Sequence, residues 1–329
     1  MTTLLRTSLL AAARSDRMRE AITKQRFTRG VVDRFVAGTT TTDALTTAET
    51  LLSTGHFVSI DFLGEDVTDE ATARTTVDHY RELIHALAAL PWAQHGTGAV
   101  RPVEVSVKLS ALGQAIPGHG NALAQANLTE LCREAEAAGI WVTVDAENHT
   151  TTDSTLHIVG EVRAEFPWLG TVLQAYLRRT EDDCHAFASP GSRIRLCKGA
   201  YAEPEDHAFQ TRAEVDASYL RCLGILAAGA GYPMVASHDP AIIATAAVAM
   251  TAAHRKSTEF EYQMLYGIRA DEQRRLVDEG NPVRVYLPYG TQWYGYFMRR
   301  LAERPANLAF FLRALKPTRS SHRAEPALV

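Results

Sequence analysis

Much of what would commit a chain to a stapled, metal-built, membrane-spanning or nucleic-acid-binding class is missing here. Cysteine is scarce, four in 329 residues. Cys132, Cys184, Cys197 and Cys222 form no CxxC pair and have no histidine at zinc-finger spacing, which argues against a disulfide framework and a structural zinc. They read as reduced thiols in a cytosolic compartment. No apolar run approaches the roughly 18 to 20 residues of a membrane span. Charge of one sign is also lacking. The net charge is -4, and no Lys/Arg cluster is interleaved with aromatics, so nucleic acid is not an expected partner. No GxGxxG follows the first strand-like run. Gly96-Thr97-Gly98 and Gly118-His119-Gly120 lack the remaining glycine, which weighs against an open dinucleotide-binding sheet, the alternative α/β architecture.

What is present is a chain 46% hydrophobic and 22% charged, able to bury a large core. Eight short apolar, β-rich runs bounded by turn residues predict strands: His56 to Phe62, Val103 to Leu109, Trp141 to Glu147, Thr171 to Leu177, Ile194 to Ala200, Pro233 to His238, Ser257 to Leu265 and Pro282 to Tyr289. Between them, Ala71 to Leu90, Ala122 to Ala138, Thr151 to Glu165, Glu205 to Ala228, Pro240 to His254 and Ala270 to Asp278 carry apolar residues at helical spacing. Several strands are apolar on both parities, as strands buried on both faces are. Eight strand-helix units in about 250 residues match a (β/α)8 barrel of the TIM type. Residues 1–55 are expected as a helical segment outside the barrel, with Gly38 to Asp43 a capped turn; 56–315 as the catalytic barrel with its last helix over the active site; and 316–329 as a flexible tail. The first twenty residues, MTTLLRTSLLAAARSDRMRE, have the Arg, Ser and Leu content of a transit peptide, and an amphipathic first helix is the blander reading.

In such a barrel the chemistry sits at the carboxyl ends of the strands. Polar residues are dense there: Asp61 with Glu65 beyond it, Lys108 and Ser110, Asp145 and Glu147, Gln174, Arg195 and Lys198, Ser237-His238-Asp239, Glu261 and Gln263, Arg284 and Tyr286. In the last unit Tyr296, Arg299, Arg300, Glu303 and Asn307 recur on one helical face. Two like charges about 4 Å apart cost on the order of 4 kcal/mol at an effective dielectric near 20, so adjacent guanidiniums aimed into one pocket imply a bound anion or carboxylate partners. Glu303 is one such partner. A solvated Arg-Arg surface helix is the competing reading.

Together the segments DFLGED (Asp61 to Asp66), VSVKLSALG (Val105 to Gly113), DAEN (Asp145 to Asn148), LQAYLRRT (Leu173 to Thr180), RLCKGAY (Arg195 to Tyr201), ASHDP (Ala236 to Pro240), EFEYQMLYGIR (Glu259 to Arg269) and VRVYLPYGTQWYGYFMRRLAE (Val283 to Glu303) resemble the proline dehydrogenase family, including the catalytic domain of bifunctional proline-utilisation flavoproteins. The resemblance implies FAD over the barrel mouth and oxidation of L-proline to Δ1-pyrroline-5-carboxylate by hydride transfer from C5 to flavin N5, with a quinone as final acceptor. It implies that Lys108, Arg299 and Arg300 bind the proline carboxylate, that Asp145 anchors these cations and that Glu303 supports the arginines. Glu65 would pair with Arg300 as a gate. Tyr286 and Leu265 would line the ring pocket. For the cofactor it implies Arg195 near N5, Gln174 and Lys198 along the ring system and ribityl chain, Gly199, Ala200 and Tyr201 beside the flavin and ADP portion, and Ser237 and His238 at the pyrophosphate. Cys197 and Ala202 depart from the family pattern, the latter at the adenine-stacking position.

No residue in these motifs is an obvious base, so solvent is expected to take the amine proton. A weak peripheral membrane association and a separate downstream aldehyde dehydrogenase are expected, in a bacterial cytoplasm or at its inner membrane. Two rival readings are a barrel aldolase using Lys108 or Lys198 as a Schiff-base lysine, and a non-catalytic ligand-binding barrel. Hydroxyproline is the close alternative substrate, against which Tyr286 argues.

Overall fold

The computed structural model describes residues 32–91 and 100–303, the side chains of 301–303 excepted. Eight parallel strands close in sequence order into a barrel: β1 (Phe57–Phe62), β2 (Val103–Val107), β3 (Trp141–Val144), β4 (Gly170–Gln174), β5 (Arg193–Cys197), β6 (Tyr232–Ala236), β7 (Glu261–Leu265) and β8 (Val283–Tyr289). Closure is made by β8 against β1, with Ser59 opposite Tyr286 and Asp61 opposite Pro288. The expected (β/α)8 architecture is therefore present.

The strands form where branched residues recur at every second position, a pattern suited to a pleated surface. Val58 and Ile60, then Val103, Val105 and Val107, then Val142 and Val144 project outward into one shared core. That core receives α1 (Thr41–Ser53), α2 (Glu70–Ala88), α3 (Gly120–Ala137) and α4 (Thr152–Arg163). Beyond β4 the shell continues with α5 (Thr180–Phe187), α6 (Arg212–Ala228), α7 (Pro240–Ala252) and α8 (Ala270–Asp278) around a second cluster that includes Leu196, Leu223 and Met264. Each fully buried leucine or isoleucine of this shell stabilises the fold by about 1.5–3 kcal/mol.

Element ends follow local chemistry. The expected capped turn before β1 is a capping box, in which Thr40 accepts from the Asp43 amide and the Asp43 carboxylate accepts from the Thr40 amide. Helix α6 starts at Arg212, seven residues later than the apolar spacing suggests. Thr211 and Glu214 form its capping box there, while the amides of Arg178 and Phe209 tie 201–210 to the end of β4 as loop. Helix α5 is missing from the sequence reading. Its first turn holds Glu181, Asp182 and Asp183, which look like a polar loop yet favour the positive end of a helix. Strand β7 also starts late, because 257–259 form a helical turn.

Contacts divide the chain into a barrel unit, Phe35–Trp293, and a second unit that contains the rest of the helix α9 (Trp293–Glu303). In that second unit the Arg300 guanidinium lies over the Tyr296 ring, 5.2 Å from its centroid. Residues 1–31, Asn307 and the 316–329 tail lie outside the described residues, as does the Glu303 side chain. Among the described residues no helix is long and apolar enough to cross a membrane.

Candidate active site

Inside the barrel many alternate residues of the strands are charged or hydroxylic from the amino-terminal foot to the carboxyl end, with Met234 and Trp141 among them. Several of their hydrogen bonds join strands that are not neighbours, as Arg193 and Arg195 on β5 reach Glu104 on β2, which is possible only through the interior. At the amino-terminal foot, Arg284 on β8 donates to both Glu261 oxygens at 2.7 and 2.9 Å and to the carbonyls of Val58, Pro102 and Arg101. Arg193 on β5 pairs with Glu104 on β2. Its guanidinium also lies 3.7 Å from the centroid of the Trp141 ring. Burial opposes the charge on Glu104, but Arg193, Arg284 and Arg195 hold its carboxyl well below the usual carboxylate range.

One layer higher, Arg195 uses all three nitrogens. It donates to Gln263 at 2.5 Å, to Ser106 at 3.0 Å and Asp145 at 2.7 Å, and to Ser59 at 3.0 Å and Glu104 at 2.6 Å. Asp145 is the hub of the layer above. Its Oδ1 accepts from Ser106 and Arg195, and its Oδ2 accepts from the Tyr286 hydroxyl at 2.7 Å. Lys108 then gives Asp61 one bond to each oxygen, at 2.9 and 2.8 Å, and stands 3.5 Å from Asp145. Although burial opposes the charge on Lys108, Asp61 and Asp145 drive its pKa well up. Four buried cations, Lys108, Arg193, Arg195 and Arg284, are thus set against four buried carboxylates, Asp61, Glu104, Asp145 and Glu261. Removing Glu104 from Arg193 or Glu261 from Arg284 would strand a charge in the interior, at a cost of about 3–5 kcal/mol, whereas Arg195 is shared by two carboxylates.

At the mouth, Glu147 accepts from the Ser110 hydroxyl at 2.5 Å and from its amide at 3.2 Å, and burial raises the Glu147 carboxyl. Gln174, at the end of β4, donates to the Glu147 carbonyl at 2.9 Å. Around the rim, Lys198 is held by Asp216 and, at 3.1 Å, by Asp239. Gly199 takes φ +108°, and a Cβ there would fall 2.2 Å from the Tyr176 ring, so only glycine brings the backbone this close. After β6, Ser237 accepts from the Asp239 amide, and Asp239 caps α7 with Pro240 at its first position. His238 accepts from the Leu265 amide through Nε2 at 2.9 Å, which places the proton of a neutral ring on Nδ1.

The expected residues therefore sort into two arcs of neighbouring strands. Tyr286, Lys108, Asp145 and Glu65 belong to β8, β1, β2 and β3 and the loops that follow them; Gln174, Arg195, Lys198, Gly199, Ala200, Tyr201, Ser237 and His238 belong to β4, β5 and β6; Leu265 ends β7 between the arcs. Arg299, Arg300 and Glu303 stand on α9, in the second unit. Sequence position alone does not single out Ser59, Glu104, Ser106 and Arg193, and marks Asp61 only as a strand-end residue. The signal was available in the alternation Ser59-x-Asp61, Glu104-x-Ser106-x-Lys108, Arg193-x-Arg195, Glu261-x-Gln263 and Arg284-x-Tyr286.

A family model for proline dehydrogenase matches residues 44–313. The chain is 36% identical over 282 residues to proline dehydrogenase 1 of Bacillus subtilis (strain 168), covering 86% of this chain and 89% of that one. It is 38% identical over 289 residues to the proline dehydrogenase of Deinococcus radiodurans, covering 87% and 90%. Among solved structures, proline utilization A from Bdellovibrio bacteriovorus inactivated by N-propargylglycine superposes with a TM-score of 0.78 at 26% identity, over 92% of this chain and 35% of that longer chain.

Proposed function

This chain belongs to the proline dehydrogenase family, and we propose that it oxidises L-proline to Δ1-pyrroline-5-carboxylate with FAD as cofactor and a quinone as final electron acceptor. Bound FAD would supply the acceptor for the hydride leaving the ring carbon beside nitrogen. The observation that carries the reading is the Lys108–Asp61–Asp145–Tyr286 cluster at the carboxyl end of the barrel, a buried ammonium held in place beside a hydroxyl-bearing ring.

The residues present fit the cofactor by the chemistry of their donors. Gln174, Lys198, the segment Gly199, Ala200 and Tyr201, Ser237 and His238 end or follow β4, β5 and β6, which pair in that order, so amide, cationic and backbone donors line one continuous arc. On the opposite arc the ammonium of Lys108 would hold the proline carboxylate and Tyr286 would stand beside the ring, directing binding energy into orientation. Arg299, Arg300, Glu303, Glu65 and Leu265 carry their substrate roles by resemblance alone. The amine of proline must be neutral to release hydride, and solvent takes its proton. Electron delivery to quinone would involve weak peripheral contact with the membrane from the cytoplasmic side.

The test is an absorbance spectrum of the purified protein followed by anaerobic addition of L-proline. Flavin bands that bleach with proline are expected. Protein that is colourless and binds no added FAD would overturn the cofactor assignment, whereas bleaching only with another amine would move the substrate.

A further inference from the structure

We propose that Asp61 is a positioning residue for the substrate carboxylate, acting through Lys108, a role that rests on the reading of Lys108 as a carboxylate ligand. The resemblance assigns Asp61 nothing. Its backbone pairs with Ser106, two residues before Lys108, and its side chain is fully buried. From there its two oxygens take two bonds from the Lys108 ammonium, at 2.9 and 2.8 Å. The two oxygens of one carboxylate lie on the same side of the ammonium, so Asp61 fixes where the nitrogen sits and leaves a remaining N–H turned to the far side. Asp61 therefore decides both where the remaining donor points and whether a buried lysine keeps its proton.

The second point follows from the surroundings. Asp61 and Glu65 approach Lys108 from β1 and its loop, and Asp145 and Glu147 from the end of β3. Arg195 on β5 acts on the cluster through Asp145, and Tyr286 on β8 acts on it through Asp145 and on Asp61 directly. Asp145 divides its charge among Arg195, Ser106 and Tyr286, and lies 3.5 Å from the ammonium. Asp61 has Lys108 as its direct ionic partner. Burial alone would favour the neutral amine, so Asp61 is the carboxylate that most directly holds the ammonium charged.

The experiment compares steady-state kinetics of the flavin-loaded wild type, Asp61→Asn, Asp61→Glu, Lys108→Met and the Asp61→Asn/Lys108→Met double variant across neutral and alkaline pH. Asp61→Asn is expected to raise KM for proline roughly tenfold with a smaller change in kcat. The ratio of its KM to that of the wild type should grow as pH rises, because Lys108 then loses its proton within the accessible range. Asp61→Glu, which keeps the charge, should flatten that ratio. In the Lys108→Met background Asp61→Asn should leave KM unmoved, since the group it acts through is gone. A ratio independent of pH, or an equal KM effect with and without Lys108, would overturn the proposal. Unchanged KM in Lys108→Met would sink the carboxylate reading itself and this role with it. Raised KM in Lys108→Met beside an unmoved KM in Asp61→Asn would sink this role alone. Should Asp61→Asn fail to hold flavin, Asp61→Glu decides the matter: a native flavin spectrum with a KM ratio that still climbs with pH would refute it.

Discussion

The foot and the mouth of the barrel are built from the same residue types in the same alternation, yet they do different work. At the foot, Arg284 is closed off by Glu261 and three carbonyls, and Glu104 is bracketed by Arg193, Arg195 and Ser59. Those charges are spent on one another and on the ends of the chain segments they tie. At the mouth, Lys108 rests on one chelating carboxylate, and Asp145 accepts from a cation and two hydroxyls. Buried ion pairs at one end of a closed sheet thus brace it, and at the other end, where loops open to ligands, they aim donors.

Substitutions can break this division, the largest effect first. Glu104→Ala should leave Arg193 and Arg195 short of a partner and cost about 3–5 kcal/mol of stability, read by denaturant unfolding. A fully stable Glu104→Ala enzyme with lost activity would reverse the roles assigned to the two ends. Asp145→Asn at the mouth should instead lower kcat/KM by roughly 100-fold, with a smaller loss of stability, because it turns an acceptor of three donors into a mixed group. Tyr286→Phe deletes one bond to Asp145 and should cost about 0.5–1.5 kcal/mol in kcat/KM, a few-fold to tenfold change.

The smallest effect sharpens the comparison through pH. Burial raises the Glu147 carboxyl above its ordinary value of 4.5. A group whose pKa is raised by folding contributes stability at low pH and loses it as pH rises through the folded value. Glu147→Gln removes that titration, so its stability relative to the wild type should climb from about pH 4.5 upward. Melting curves of both proteins over that range would show a flat difference if Glu147 were freely solvated.

The eight strands were legible because β-branched residues recur on the outward face, and the barrel follows from their number and their alternation with helices. Most of the motif residues were also legible, since Lys108, Asp145, Gln174, Lys198 and Ser237 sit at or just past strand ends. The interior column was not. A charged residue inside an apolar run, such as Glu104 or Arg193, has no sequence neighbour of opposite sign to mark it as paired, because its partner lies on a strand 89 residues away. The short helix α5 was lost for a related reason, its acidic first turn having no apolar stripe long enough to reveal a period.

By itself the sequence determined the barrel, the alternation that turns one face of each strand inward and the family whose motifs it carries, because these depend on local pattern and order along the chain. Tertiary structure alone decided which charge meets which. That Arg195 is shared by Glu104 and Asp145, that Asp61 and not Asp145 chelates Lys108, and that Lys198 leans on Asp216 and Asp239 are outcomes of strand register and closure. Coulomb attraction in a desolvated interior falls off over a few ångströms, and distances of that size between residues far apart in sequence exist only once the sheet has closed.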